Sequence, residues 1–206
     1  MLSIRQLTII ATLALGACST LSQEECITAD WKTIGFEDGS RGYSSQRISA
    51  HRESCAEYGV APDFDRYLVG HSQGLHNYCN YNNGFQLGKS GAGFNAICPE
   101  EIAAPFLSGY QQGRKIYDVT NQLTAMEKER QLILEDIHHT SSEIDKKRDM
   151  VIAQSTGELL RKELLTQIDV LKDSLARKEA DLYSLDRETE KYERVLARLS
   201  RQAGVH

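Results

Sequence analysis

Proline is scarce in this chain: three in 206 residues, and none after Pro105. Glycine is missing between Gly113 and Gly157, and cysteine after Cys98. A stretch without those breakers can run as long, uninterrupted helix. An apolar run of the roughly 20 residues needed to span a membrane is also lacking. The longest, Leu7 to Leu15, is far shorter. No stretch alternates apolar and polar residues convincingly, which argues against half-buried strands. Nor is there a cationic excess: the formal charge is -5 and the pI about 5.7, against the basic footprint expected for nucleic-acid binding. C-x-x-C and H-x-x-x-H pairs are absent, so a metal site ranks behind disulfides, and no cofactor is expected.

The amino terminus is read as a targeting segment. Arg5 supplies a short positive region, Leu7 to Leu15 the apolar core, and Leu15-Gly16-Ala17-Cys18 resembles a bacterial lipobox. Residues 1–17 are therefore expected to be a lipoprotein signal peptide, with Cys18 the lipidated first residue of the mature chain and residues 18–25 a tether. Acyl chains on one cysteine hold a protein stably at a membrane without a spanning helix. Ser19 follows the cysteine instead of the aspartate that usually retains lipoproteins at the inner membrane. The periplasmic face of the outer membrane is the expected location, with palmitate among the acyl groups.

With Cys18 acylated, Cys26, Cys55, Cys79 and Cys98 remain. An even number in an exported chain implies two disulfides, with three possible connectivities. These cysteines define an expected head, residues 26–113, rich in glycine and aromatics. One spacing recurs in it. Gly35 and Gly39 lead to Tyr43; Gly70 and Gly74 to Tyr78; Gly109 and Gly113 to Tyr117; Gly84 and Gly88 form a partial copy ending at Ala92. Steps of four fall on one helix face. Small residues there let helix backbones approach closely, which offsets the helix-weakening effect of glycine. Short helices held by disulfides are expected, one from Arg47 to Tyr58 and another starting at Asp63 or Asp65 and ending near Cys79. Asn80 to Gly84 and Gly88 to Gly93 read as turn and loop. Pro99 with Glu100 and Glu101 reads as a helix start.

Residues 114–206 carry dense, balanced charge. Ile116, Val119, Leu123, Met126, Ile133, Ile137, Ile144 and Val151 share a three-four seam interrupted by Arg130, Thr140 and Lys147. Leu164, Ile168, Leu171, Leu175, Lys178, Leu182, Leu185, Thr189, Tyr192, Leu196 and Leu199 continue the pattern without a slip. The two registers do not join. The break falls near Ser155-Thr156-Gly157, where Ser155 and Glu158 fit a capping box. An antiparallel coiled-coil hairpin with its tip near 155–158 is expected; one long helix with a stammer is the alternative. The fold class is thus all-α.

Chemistry-bearing motifs are weak. Gly70-His71-Ser72-Gln73-Gly74 fits the nucleophile elbow of serine hydrolases, which would make Ser72 a nucleophile. That motif needs a preceding strand and a later acid and histidine, and the head is too small for the sheet that displays it. Gly84 to Ser90 has one residue too few between its glycines for a P-loop. His51, His71 and His76 could cluster on folding, but nothing in the sequence fixes a carboxylate or cysteine beside them. Separately, the acidic pairs Glu37-Asp38 and Asp63-Asp65 could act as acid and base, though such pairs are ordinary at helix starts and turns. The expected catalytic set is nevertheless none, with Ser72 as the alternative.

The run of Cys26, Trp31, Gly35-Phe36-Glu37-Asp38-Gly39, His51, Cys55, Gly59-Val60-Ala61-Pro62-Asp63, Tyr67, Gly70, Gln73-Gly74-Leu75, Tyr78-Cys79, Gly84-Phe85, Gly88, Gly91, Cys98-Pro99, Phe106 and Gly109 resembles an uncharacterised family of Gram-negative lipoproteins. The family is a domain of unknown function, number twenty-seven ninety-nine. The resemblance extends over nearly the whole mature chain. It implies a lipidated, disulfide-bonded envelope protein and brings no catalytic residues. The expected function is a structural or accessory interaction protein of the envelope, attached through Cys18 and meeting a protein partner, or itself, through the coiled coil. An envelope serine hydrolase and a periplasmic small-molecule or metal binder are the alternatives.

Overall fold

The computed structural model describes residues 21–204. Cys18 and the lipobox lie outside them. Among the described residues the fold is all-helical, without strands. Two compact units divide the chain after Cys79.

The first unit holds α1 (Gln23–Ile27), α2 (Trp31–Ser40), a 3-10 turn at Ser45–Arg47, α3 (Ile48–Ala56) and α4 (Phe64–Tyr78). Sequence signals set the ends. Ser22 and Glu25 form a capping box, Asp30 caps α2 through the Lys32 amide, and Asp63 caps α4 through the Arg66 amide. The core gathers Cys26, Trp31, Ile48, Cys55 and Tyr67. A Cys26–Cys55 disulfide ties α1 to α3. Cys79 and Cys98 are disulfide-bonded too.

Backbone approach defines how α2 meets α4. A methyl group added at Gly35 or Gly39 would land on the carbonyls of Tyr67 and His71; one at Gly70 or Gly74 would land on those of Lys32 and Phe36. After α2 the chain turns at Gly42, whose φ of 78° is a left-handed value that suits glycine. The Tyr78 ring lies against it, where a side chain would collide.

The second unit holds α5 (Tyr81–Lys89), α6 (Glu100–Ile152) and α7 (Glu158–Gln202). Its start repeats the same design. Gly84 and Gly88 face the carbonyls of Phe106 and Tyr110, Gly109 and Gly113 face those of Tyr81 and Phe85, and left-handed Gly91 meets the Tyr117 ring. The glycine units read along the sequence are thus the halves of two pairs, and Gly84 and Gly88 form a full half. The turn expected at Asn80 to Gly84 is instead the capped start of α5, with Asn80 accepting from the Asn83 amide.

The boundary expected between Gly113 and Arg114 is absent, because α6 passes through it without a break. The 53 residues of α6 give a rod of about 80 Å. The connection to α7 is only five residues, 153–157. The Ser155–Glu158 capping box does not form: Gly157 takes the N-cap position and no side chain caps the helix. All 22 positions of the two seams are buried or half-buried. Contacts from α6 to α7 include Arg130 Nε to Asp186 at 3.1 Å, Lys178 Nζ to Thr140 Oγ1 at 3.1 Å and to Asp136 at 3.2 Å, and Lys147 Nζ to Gln167 at 2.6 Å.

Candidate functional site

A buried carboxylate organises a polar cluster in the core of the first unit. Asp38, on α2, is 4% exposed. Its Oδ2 accepts from His51 Nε2 at 2.7 Å and from the Tyr67 hydroxyl at 2.8 Å. Arg47 Nε approaches Oδ1 at 3.2 Å, an ion pair whose angle is not that of a hydrogen bond. The guanidinium of Arg47 also stacks 3.9 Å above the Tyr43 ring. His51 and Tyr67 are 2% and 0% exposed. Three elements supply these groups: α2, α4, and the 3-10 turn with α3.

Burial pushes the Asp38 carboxyl upward most strongly. The hydrogen bonds from His51 and Tyr67, with the charges of His51 and Arg47, together outweigh it and hold Asp38 below its ordinary value. Tyr67 moves the other way. Burial, and then the hydrogen bond to Asp38 and its negative charge, push the phenol far upward, so it stays a proton donor. Asp38, Arg47 and His51 line the wall of an open cleft of about 370 Å3 between α1, α2 and the turn into α3, beside Thr33, Glu37 and Arg41.

The second glycine pair acts as an internal control. Superposing Gly35, Gly39 and Gly42 on Gly84, Gly88 and Gly91 places Leu87 opposite Asp38 and Phe85 opposite Phe36. Superposing Gly70, Gly74 and Tyr78 on Gly109, Gly113 and Tyr117 places Phe106 opposite Tyr67 and Tyr110 opposite His71. The His71 position does the same work in both copies. His71 Nε2 donates to the Tyr43 carbonyl at 2.7 Å, and the Tyr110 hydroxyl donates to the Ala92 carbonyl at 2.9 Å. That contact is architectural. Asp38 and Tyr67 have only apolar counterparts, so helix pairing of this kind does not require them. His51 and Arg47 sit in a segment between Gly42 and Gly70 that is ten residues longer than its counterpart between Gly91 and Gly109. The polar cluster and the element that completes it thus occur in the first copy and lack counterparts in the second.

Other sequence candidates do not join this cluster. Ser72 is exposed in the middle of α4. An elbow needs a strand entering the serine, but Leu68 to Gly74 is one helical run. His76 is exposed on the same helix. Asp63 is the α4 cap, and Gly84 to Lys89 is helix instead of a phosphate-binding loop. Among the described residues no three His, Cys, Asp or Glu side chains gather to hold a metal ion. Sequence reasoning listed Asp38 and His51 without joining them, and missed Tyr67 and Arg47. The available signal was an aspartate at the fourth residue of a G-F-x-x-G-x-x-G segment whose second copy carries leucine there.

A family model described as "Protein of unknown function (DUF2799)" matches residues 30–115. Over that region the chain is similar to this family, in line with the resemblance read from its glycines, aromatics and cysteines. The match covers both glycine-packed pairs and ends early in α6, so the charged helical tail lies beyond it. No curated protein and no solved structure matches the chain.

Proposed function

We propose that this protein is a lipoprotein on the periplasmic face of the outer membrane, held through Cys18, that works as an interaction or accessory protein of the cell envelope. The observation that carries the reading is the shape of the second unit. Helices of 53 and 45 residues present long, charged flanks, where an enzyme of this size would build an enclosed site. The disulfide-bonded cysteines favour an oxidising compartment. In this reading α6 and α7 form an antiparallel coiled coil. In its support, the partner on α7 moves backward as the partner on α6 moves forward: Arg130 with Asp186, Thr140 with Lys178, Lys147 with Gln167.

Two measurements test this. Cysteines replacing Arg130 and Asp186 should be joined within one chain by a short bismaleimide, leaving a monomer on a denaturing gel. Crosslinks that appear only between chains would replace the hairpin with a single-helix oligomer. Photocrosslinkers on the exposed flanks of α6 and α7 should trap envelope proteins, or a second copy, in cells. A pattern of adducts unchanged when residues 114–206 are deleted would remove the interaction role.

A second reading has its own support. The cleft beside Asp38 and His51 is a candidate small-molecule site, because the second copy shows that packing alone does not need its polar groups. A small molecule retained in native mass spectra, and lost in Asp38→Asn with the fold intact, is the expected sign. An envelope hydrolase acting through Ser72 would instead show stoichiometric labelling of that serine by a fluorophosphonate.

A further inference from the structure

The connection between α6 and α7 is unlike the arms that lead to it. Met150, Ile152, Leu159 and Leu160 stand exposed within eleven residues, with Ile152 at 77% and Leu159 at 87%. Along the arms, large exposed apolar side chains such as Leu132 and Tyr183 are scattered singly. Scattered exposure is ordinary; four together at one end are a patch.

Charge changes sign at the same place. Residues 146–162 hold five cations, Lys146, Lys147, Arg148, Arg161 and Lys162, against Asp149 and Glu158. Residues 127–145 hold six carboxylates against two cations, and residues 163–193 nine against five. An apolar end flanked by cations is therefore bordered by an acidic stretch on each arm.

Part of the connection's backbone is paired internally. The Thr156 hydroxyl donates to the Met150 carbonyl at 2.6 Å, the Thr156 amide to the Ala153 carbonyl at 3.1 Å, and Arg161 to the Thr156 carbonyl at 3.2 Å. Internal pairing of this kind lowers the penalty of moving backbone polar groups out of water.

We propose that the 150–160 connection is a membrane-surface site that seats its apolar side chains at the headgroup–acyl boundary of a bilayer rich in anionic phospholipid. Protruding apolar side chains suit a deformable surface, and the surrounding lysines and arginines match phosphate headgroups. The site rests on the hairpin reading, which the 130–186 crosslink tests separately.

The test uses the full chain with Leu159→Trp and vesicles of phosphatidylglycerol mixed with acyl-brominated phosphatidylcholine. The new indole should be quenched by the brominated chains, and the quenching should fall as salt is raised. Tyr183→Trp, on the exposed arm, should be quenched far less, which separates insertion of the tip from attachment through the amino terminus. Buried Trp31 gives the same background in both. Serine at Arg161 and Lys162 should weaken vesicle binding by roughly tenfold or more. Equal quenching at positions 159 and 183 overturns the proposal, and so does quenching that is the same on vesicles without phosphatidylglycerol. Ile152→Trp repeats the measurement should Leu159→Trp disturb the helix end. Absent quenching with both variants would leave the patch to a protein partner.

Discussion

At Gly74, helix propensity and packing give opposite answers. Propensity alone says that alanine should stabilise α4 by about 1 kcal/mol. Packing says that the added methyl group meets the Phe36 carbonyl, a backbone atom that cannot rotate away. Packing should win. Gly74→Ala is expected to destabilise the first unit by about 2 kcal/mol or more in denaturant unfolding, since overpacked cores typically lose 1–3 kcal/mol. Gly59 has open space around it but a φ of 70°, so alanine there should cost less, through backbone strain alone. Asp38 gives a pH prediction at the same scale. Its folded carboxyl titrates below the ordinary value of 3.8, so its stabilising contribution is complete above that value. That contribution is lost as pH falls through the folded value. Thermal unfolding followed from pH 7 into acid should show this loss, and Asp38→Asn should flatten it. Tyr67→Phe, which removes one of the two hydrogen bonds to Oδ2, should cost roughly 1–2 kcal/mol and, by letting the Asp38 carboxyl rise, should shift the acid loss to higher pH.

Among the elements, α3 leans on covalent support. It has nine residues, lacks a side-chain cap, and carries both the His51 contact to Asp38 and the Cys55 bridge to α1. Replacing Cys26 and Cys55 together with serine should cost about 3 kcal/mol, read as a lowered unfolding midpoint. The cleft groups should loosen first, as a rise in hydrogen exchange confined to α3. The long helices show what a sequence makes legible. Their seam could be read residue by residue, because a three-four repeat reports which side of a helix is buried without reference to the partner. The glycine pairs could be read only by half. A glycine at every fourth residue says that some backbone comes close, but the contact is with a carbonyl, and any helix offers carbonyls. Which half meets which was therefore not written in the pattern. The Asp38–His51–Tyr67 cluster was still less legible, since its members sit on three elements brought together by turns whose geometry no periodicity encodes. Lys178 gives the matching prediction for the seam. Its amine bonds Thr140 and pairs with Asp136, a polar insertion in an apolar row. Lys178→Leu should raise the melting temperature of the long helices while loosening their register, detectable as self-association in sedimentation.

For the molecule as a whole, the repetition of one packing device is the organising feature. The same device of paired glycines, a left-handed glycine and a tyrosine lid closes a helix pair twice, and only the first copy received the extra helix and the buried carboxylate. The second copy received length instead: its last helix continues past Gly113 for about 40 further residues. The same pairing thus stands beside a polar cleft in one copy and a long helix in the other. The family match covers both pairs and stops just where the reach begins.

That continuity of α6 has a mechanical consequence. Its first turns are clamped to α5 through backbone contacts at Gly109 and Gly113, and its last turn lies at the tip. Tension applied at the tip passes along unbroken helical hydrogen bonds to the clamp, with no soft joint between. There it acts as shear between two backbones whose carbonyls are held against opposing α-carbons. Sliding by one helical turn, about 5.4 Å, would bring one glycine of the clamp opposite the carbonyl that the other had faced.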